Sequence, residues 1–183
     1  MKLNLTFKNR LLFTVIVSIL MWTFLAWDYV HEGVPTHYIL HNDDLPGFSN
    51  WWGAITIPLV TWGLLYLVHL RTGKEGSKNE SSSILYGFVG FLLYAVLVSY
   101  LFSTVTGSEN ILFYMALGLI ALSFLVPIYK PECLLGYILG MTFTFGPILP
   151  LLFGVIFWTV YIIAYKLPRG IIRYYGNKKY NST

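Results

Sequence analysis

Apolar and polar positions alternate along this chain in long blocks rather than residue by residue. The apolar stretches cover 11–27, 54–70, 84–103, 111–126, 133–145 and 149–167. About 20 apolar residues carry a helix across a bilayer and about 17 suffice, a length that the first four stretches approach. The pattern therefore predicts an all-α, polytopic transmembrane helical bundle of about six spans, with 1–183 forming a single membrane domain.

The last two stretches form one apolar run that Gly146, Pro147 and Pro150 interrupt. Proline removes a backbone donor and clashes with the preceding turn, so a helix should end there. Each half is short for a full crossing, and we expect either two thin spans or a re-entrant hairpin. Within the fifth stretch, Gly136 and Gly140 are spaced as in the small-residue motif of membrane helices, which predicts a close helix contact.

Charge follows the same block pattern. Of all residues 56% are hydrophobic and only 11% are charged, whereas a soluble domain is about one quarter charged. Every lysine and arginine lies in 1–10, 71–83, 127–132 or 166–183. Basic islands mark the cytosolic side of a membrane protein. We therefore expect an inner- or plasma-membrane protein with both termini, a 71–83 linker and a 168–183 tail in the cytosol. The basic residues form no continuous patch, which argues against a nucleic-acid partner.

The segment 28–53 is the opposite of these islands, because it contains histidines and acids but no lysine or arginine. It holds three of the four histidines and four of the eight acidic residues. Its many aromatic and aliphatic side chains are not the composition of a disordered segment. We therefore expect an ordered extracytoplasmic cap between the first two spans, with Ser49 or Asn50 capping the second span.

Two imidazoles and a carboxylate in this cap suggest a metal site. Pro35 suits the start of a short helix, and Pro46 suits its end. On such a helix His37, His41 and Asp44 lie within about 60° of one another. Nitrogen and oxygen donors of this kind bind a divalent transition metal such as zinc or iron.

Four further side chains complete this hypothesis. His31 becomes another metal ligand if the chain folds back after the first span. Glu32, Asp43 and Glu109 are the candidate catalytic acids and bases. The spacing of His31, Glu32 and His37 differs from H-E-x-x-H, so the zinc-protease motif is absent. The alternative is that these residues form only a solvated, partly salt-bridged surface.

These features favour an enzyme that works at the bilayer interface on a lipid or another apolar substrate. A second hypothesis is a non-catalytic membrane subunit that uses 28–53 to dock a membrane-protein partner. A third is a small channel or carrier, with the acidic cap attracting cations. The apolar stretches have no Asp, Glu, Lys or Arg at mid-depth, which argues against proton-coupled transport.

Overall fold

The computed structural model describes residues 5–31, 33–38, 44, 46–75, 78–104 and 108–180. Helices and one small hairpin follow one another in these residues as α1 (Phe7–His31), β1 (Thr36–Tyr38), β2 (Gly47–Ser49), α2 (Gly53–Glu75), α3 (Lys78–Thr104), α4 (Ser108–Ser123), α5 (Pro131–Phe145) and α6 (Ile148–Tyr180). A short 3-10 turn, Asn50–Trp52, joins β2 to α2.

In the described part of the chain, the segments long and apolar enough to cross a membrane are Phe7–His31, Asn50–Gly73, Ser81–Thr104 and Ile148–Arg173. Only 17% of the apolar window of α1 is buried inside the structure, which leaves most of its apolar surface exposed. The prediction of a helical chain with membrane-length apolar helices is therefore confirmed. The apolar part of α4 and the whole of α5 are shorter, and the count of six full crossings stays a prediction.

α5 runs through the middle of the bundle, and most of its side chains from Glu132 to Thr142 are buried. Its backbone approaches α3 closely at two glycines. A Cβ on Gly136 would lie 2.9 Å from the amide nitrogen of Leu92, and one on Gly140 would lie 2.9 Å from the Leu92 carbonyl oxygen. Small residues allow such contact between helix backbones. The close helix contact predicted for Gly136 and Gly140 is confirmed.

α3 and α5 point in the same direction, because their successive contacts advance together along both helices. Gly87 of α3 faces Glu132 in the first turn of α5. Farther along, the Ser99 hydroxyl lies 3.5 Å from the carbonyl oxygen of Gly140 and donates to it. α4 therefore returns the chain between these parallel neighbours, and helix direction alternates from α1 to α6.

This alternation gives the bundle two chemically different ends. We call one the basic end, which is defined by the side chains of Lys8, Arg71, Lys130, Lys166 and Arg169. We call the other the histidine end, which is defined by the end of α1, the β1–β2 hairpin and the turn between α5 and α6. The start of α1 and the last part of α6 both lie at the basic end.

A buried ion pair fixes the helices at the basic end. The Arg71 guanidinium on α2 donates from Nη2 to Oε1 of Glu132 at 2.8 Å, and Glu132 is only 2% exposed. The Lys130 ammonium, just before α5, donates to the hydroxyl of Ser83 on α3 at 3.2 Å. Breaking a buried pair by removing one partner costs about 3–5 kcal/mol. These contacts therefore hold α2 and α3 in register with the first turn of α5.

Several helices extend beyond the apolar stretches that predict them. α6 continues to Tyr180, through most of the predicted tail. In the predicted linker, α2 ends only at Glu75 and α3 already begins at Lys78. Hydropathy marks only the part of a helix that lipid can cover, whereas each further residue still adds a backbone hydrogen bond. Pro150 lies in the first turn of α6, where proline is tolerated.

We expect Gly136→Ala to lower the free energy of unfolding by about 1–3 kcal/mol, because the new methyl group meets the α3 backbone rather than a flexible side chain. Unfolding of the purified protein in detergent micelles, followed by loss of helical circular dichroism, measures the effect.

Gly90→Ala is the matched control on α3, because a Cβ at Gly90 would meet nothing within 4 Å. This variant should be as stable as the wild type or more stable by up to about 1 kcal/mol, because alanine favours a helix more than glycine does. Equal stability of the two alanine variants would contradict the close contact between α3 and α5.

Candidate functional site

His31, the first candidate ligand, lies at the end of α1 and is held by its own helix. Its Nδ1 lies 2.9 Å from the carbonyl oxygen of Trp27, and its ring stacks on the Trp27 indole with the centroids 3.9 Å apart. A carbonyl oxygen only accepts, so Nδ1 carries the proton in this hydrogen bond. The chain then turns at Gly33, which has a φ of 86° and donates its N–H to the Asp28 carbonyl at 2.8 Å.

His37, the second candidate ligand, lies in a β-strand, so the prediction of a short helix from Pro35 is wrong here. β1 pairs with β2 in antiparallel register, with His37 opposite Phe48. Threonine and tyrosine on either side of His37 favour a strand, and the paired strand satisfies backbone groups that a helix would satisfy internally. The argument that His37, His41 and Asp44 share a helical face therefore fails at its first member. In the strand, His37 is half-buried between two exposed neighbours.

His37, Asn50 and Gly146 meet at the histidine end, and we call these three residues the polar junction. Gly146 has a φ of 70°, a left-handed conformation that glycine adopts without steric cost. A Cβ at this position would lie 2.7 Å from Cδ2 of His37 and would overlap Oδ1 of Asn50. The imidazole edge and the amide oxygen thus occupy the space that a side chain at 146 would need. The hairpin with the turn that follows it and the turn between α5 and α6, which are distant in sequence, meet here.

Asn50 is the unusual member of the polar junction. Its side chain is 1% exposed, and neither its amide oxygen nor its amide nitrogen has a hydrogen-bond partner among the described residues. Its backbone N–H donates to the Pro35 carbonyl at 3.0 Å. Ser49 supplies the predicted cap, since its hydroxyl accepts the Trp51 N–H at 3.4 Å. A buried amide without partners costs about 1–3 kcal/mol, and such a group in a native structure calls for an explanation.

The remaining predicted site residues are only partly described by the structure. Asp44 lies exposed in the turn between the strands. Glu109 belongs to the first turn of α4, and its side chain is not among those described. Three others lie outside the described residues: Glu32, His41 and Asp43. Among the described residues, no group of three or more His, Cys, Asp or Glu could hold a metal ion. The metal site of His31, His37, His41 and Asp44 stays a prediction.

Sequence reasoning missed that Asn50 and Gly146 belong to one site. Asn50 alone predicts a helix cap, and Gly146 before Pro147 predicts a helix break. The signal for a tertiary contact at Gly146 was its position at the tip of a helical hairpin. A residue without a side chain permits another segment to approach closely there. Nothing in the local sequence named the segment that approaches it.

No protein-family model matches this chain, and comparisons with curated proteins and with solved structures also find no match. The function is therefore argued from the polar junction and from its position in the bundle.

We expect Gly146→Ala to destabilise the protein for two separate reasons. The left-handed backbone is strained by any side chain, and the new methyl group overlaps Asn50 and His37. In the Asn50→Ala background the overlap with the amide oxygen is gone, while the backbone strain is unchanged. A double-variant cycle on the free energy of unfolding should therefore show that Gly146→Ala costs about 1 kcal/mol less in that background.

Hydrogen exchange at Thr36–Tyr38 gives a local measurement of the same contact. Gly146→Ala should speed exchange in this strand if His37 fastens the hairpin to the turn between α5 and α6. Strict additivity of the two substitutions, together with unchanged exchange in β1, would contradict the polar junction.

Proposed function

We propose that this chain is a multi-pass membrane protein that binds the polar part of a lipid, or of another amphipathic substrate, at the polar junction on the extracytoplasmic side. The single observation that carries the proposal is the buried Asn50 amide, which lies beside His37 and Gly146 without a partner among the described residues. This unfavourable burial lies where the hairpin meets the turn between α5 and α6.

The distribution of charge supports the proposed orientation. The basic end carries lysine and arginine side chains from α1, α2 and α6. Positively charged segments stay in the cytosol, so the polar junction at the opposite end would face outward. The histidine end also carries the buried Oδ2 of Asp28, which has no partner among the described residues.

Aromatic side chains support a position at the depth of the lipid headgroups. Trp51 and Trp52 are exposed directly after Asn50, and the Trp22 indole donates to the Ala54 carbonyl at 3.1 Å. Tryptophan concentrates where the hydrocarbon meets water, because its ring is largely apolar and its N–H needs a polar partner. A molecule at this depth would offer a polar headgroup to the junction and an apolar tail to the bilayer.

The two polar side chains of the junction suit a headgroup chemically. The Asn50 amide offers both a donor and an acceptor, and the His37 imidazole has two ring nitrogens that can donate or accept hydrogen bonds. Together they fit a hydroxyl, ester or phosphate group. The finer hypothesis is catalysis, in which His37 acts as a general base or as a metal ligand with His41 and Asp44.

We expect Asn50→Leu to lose bound amphipathic molecules while keeping or gaining stability. Leucine has a similar volume and removes two unpaired polar atoms, a change that is close to neutral or stabilising for folding. Native mass spectrometry of protein extracted in mild detergent should show about a tenfold loss of retained molecules. A loss of this size is expected when one hydrogen bond to the bound molecule is removed.

Thr61→Val is the matched control on α2. The Thr61 side chain is also buried, and its hydroxyl has no partner among the described residues. This variant should retain the same molecules as the wild type. Equal retention by Asn50→Leu would overturn the binding proposal and favour a docking role for 28–53. Zinc and iron content of the same samples, compared between wild type and His37→Ala, tests the metal hypothesis.

A further inference from the structure

A cleft opens between α3, α4, α5 and α6, in the half of the bundle nearer the basic end. The cleft is a shallow, partly open groove rather than an enclosed cavity. The walls are mainly apolar and aromatic, and they include Leu119, Leu134, Tyr137, Gly154, Trp158 and Tyr161. No residue of α1 or α2 lines it, so this cleft is separate from the polar junction at the histidine end.

Tyr129 connects the cleft with the basic end. Its neighbour Ile128 lines the cleft, and the indole N–H of Trp158, another lining residue, donates to the Tyr129 carbonyl. On its other side, the Tyr129 ring packs against Tyr165 with the centroids 5.2 Å apart. The Lys166 ammonium lies 5.4 Å from the centre of the Tyr129 ring. Tyr129 therefore lies between the apolar wall of the cleft and the Lys166 ammonium.

We call the end of the cleft at Tyr129 its mouth. The described charges around this mouth are positive. Lys130 follows Tyr129, and Lys166 is exposed beside it. The Arg169 guanidinium lies 3.7 Å from the centre of the Tyr165 ring and donates to the Phe124 carbonyl at 3.0 Å. Glu132, the nearest described acid in sequence, is buried and paired with Arg71. An anion at the mouth would therefore meet three cations and no exposed described carboxylate.

The distance between the cleft and Lys166 along α6 limits which ligand could contact both. Trp158 and Lys166 are separated by about 12 Å along the helix axis. A ligand that lies along the cleft and reaches Lys166 must join an apolar chain to an anionic group over that distance. A free phosphate would leave the cleft unused, and an uncharged lipid would leave the cations unused.

We propose that an acyl chain of an anionic phospholipid from the cytosolic leaflet lies along this cleft, with its phosphate against Lys166 and with Lys130 and Arg169 at the rim. Anionic lipids concentrate on that side of a plasma membrane and attract basic side chains there. Aromatic residues at the mouth suit the same interface. The proposal does not depend on the polar junction, and each site can fail without the other.

The test uses the full chain in detergent with equal amounts of phosphatidylglycerol and phosphatidylcholine that carry identical acyl chains. Native mass spectrometry should show preferential retention of phosphatidylglycerol by the wild type. Lys166→Gln should lower this preference about fivefold, the effect of one basic residue near an anionic surface. Lys8→Gln is the matched control, since Lys8 is also an exposed lysine at the basic end but lies on α1. Its preference should equal that of the wild type.

Gly154→Leu tests the cleft itself. A Cβ at Gly154 would lie 3.0 Å from the Leu134 side chain, so the leucine side chain would occupy the cleft. Retention of both lipids should fall, whereas Gly63→Leu, at a glycine with nothing within 4 Å of its Cβ, should bind them normally. Equal lipid preference in wild type and Lys166→Gln would overturn the proposal. Displacement of phosphatidylglycerol by an equal concentration of glycerol phosphate would overturn it too, by assigning the site to free phosphate compounds.

Discussion

The close approach of α5 to α3 is the constraint on which the rest of the structure depends. Because Gly136 and Gly140 have no side chains, the α5 backbone lies against Leu92 and its neighbours. In lipid, packing of this kind replaces the hydrophobic drive that assembles helices in water. It encloses the short helix α5, and it makes α3 and α5 parallel. α4 must then return the chain between them, which fixes the direction of every later helix.

The two ends of α5 carry the two kinds of polar chemistry in the bundle. At its start, Glu132 pairs with Arg71 of α2 at 2.8 Å. Just after its end, Gly146 receives His37 and Asn50. A buried charge or amide is stable inside a bundle only where packing positions its neighbours. The buried α5 thus has a structural ion pair at its first turn, while a buried amide lies beside an imidazole just after its end.

The sequence predicts the helices well because a long apolar stretch can be recognised from its composition without knowledge of the tertiary contacts. It also predicts the contact at Gly136 and Gly140, since the spacing has a direct steric meaning. The hairpin is different. The three residues of Thr36–Tyr38 are too few for the hydrophobic periodicity to distinguish a strand from a helix. Their pairing with Gly47–Ser49 is a contact between separate segments, which the local pattern does not encode. His37 could be selected as a candidate because of its residue type. Its neighbours Asn50 and Gly146 could not be selected, because their proximity depends on tertiary contacts.

Labelling of single cysteines with a membrane-impermeant maleimide tests most directly whether the histidine end and the basic end lie on opposite sides of the membrane. The background is Cys133→Ala, and the introduced residues are Tyr38→Cys in β1 and Arg173→Cys in α6, both at exposed positions. Intact cells should label Tyr38→Cys, whereas Arg173→Cys should react only after the membrane is permeabilised. Labelling of both from the same side, or the reverse pattern, would contradict this account.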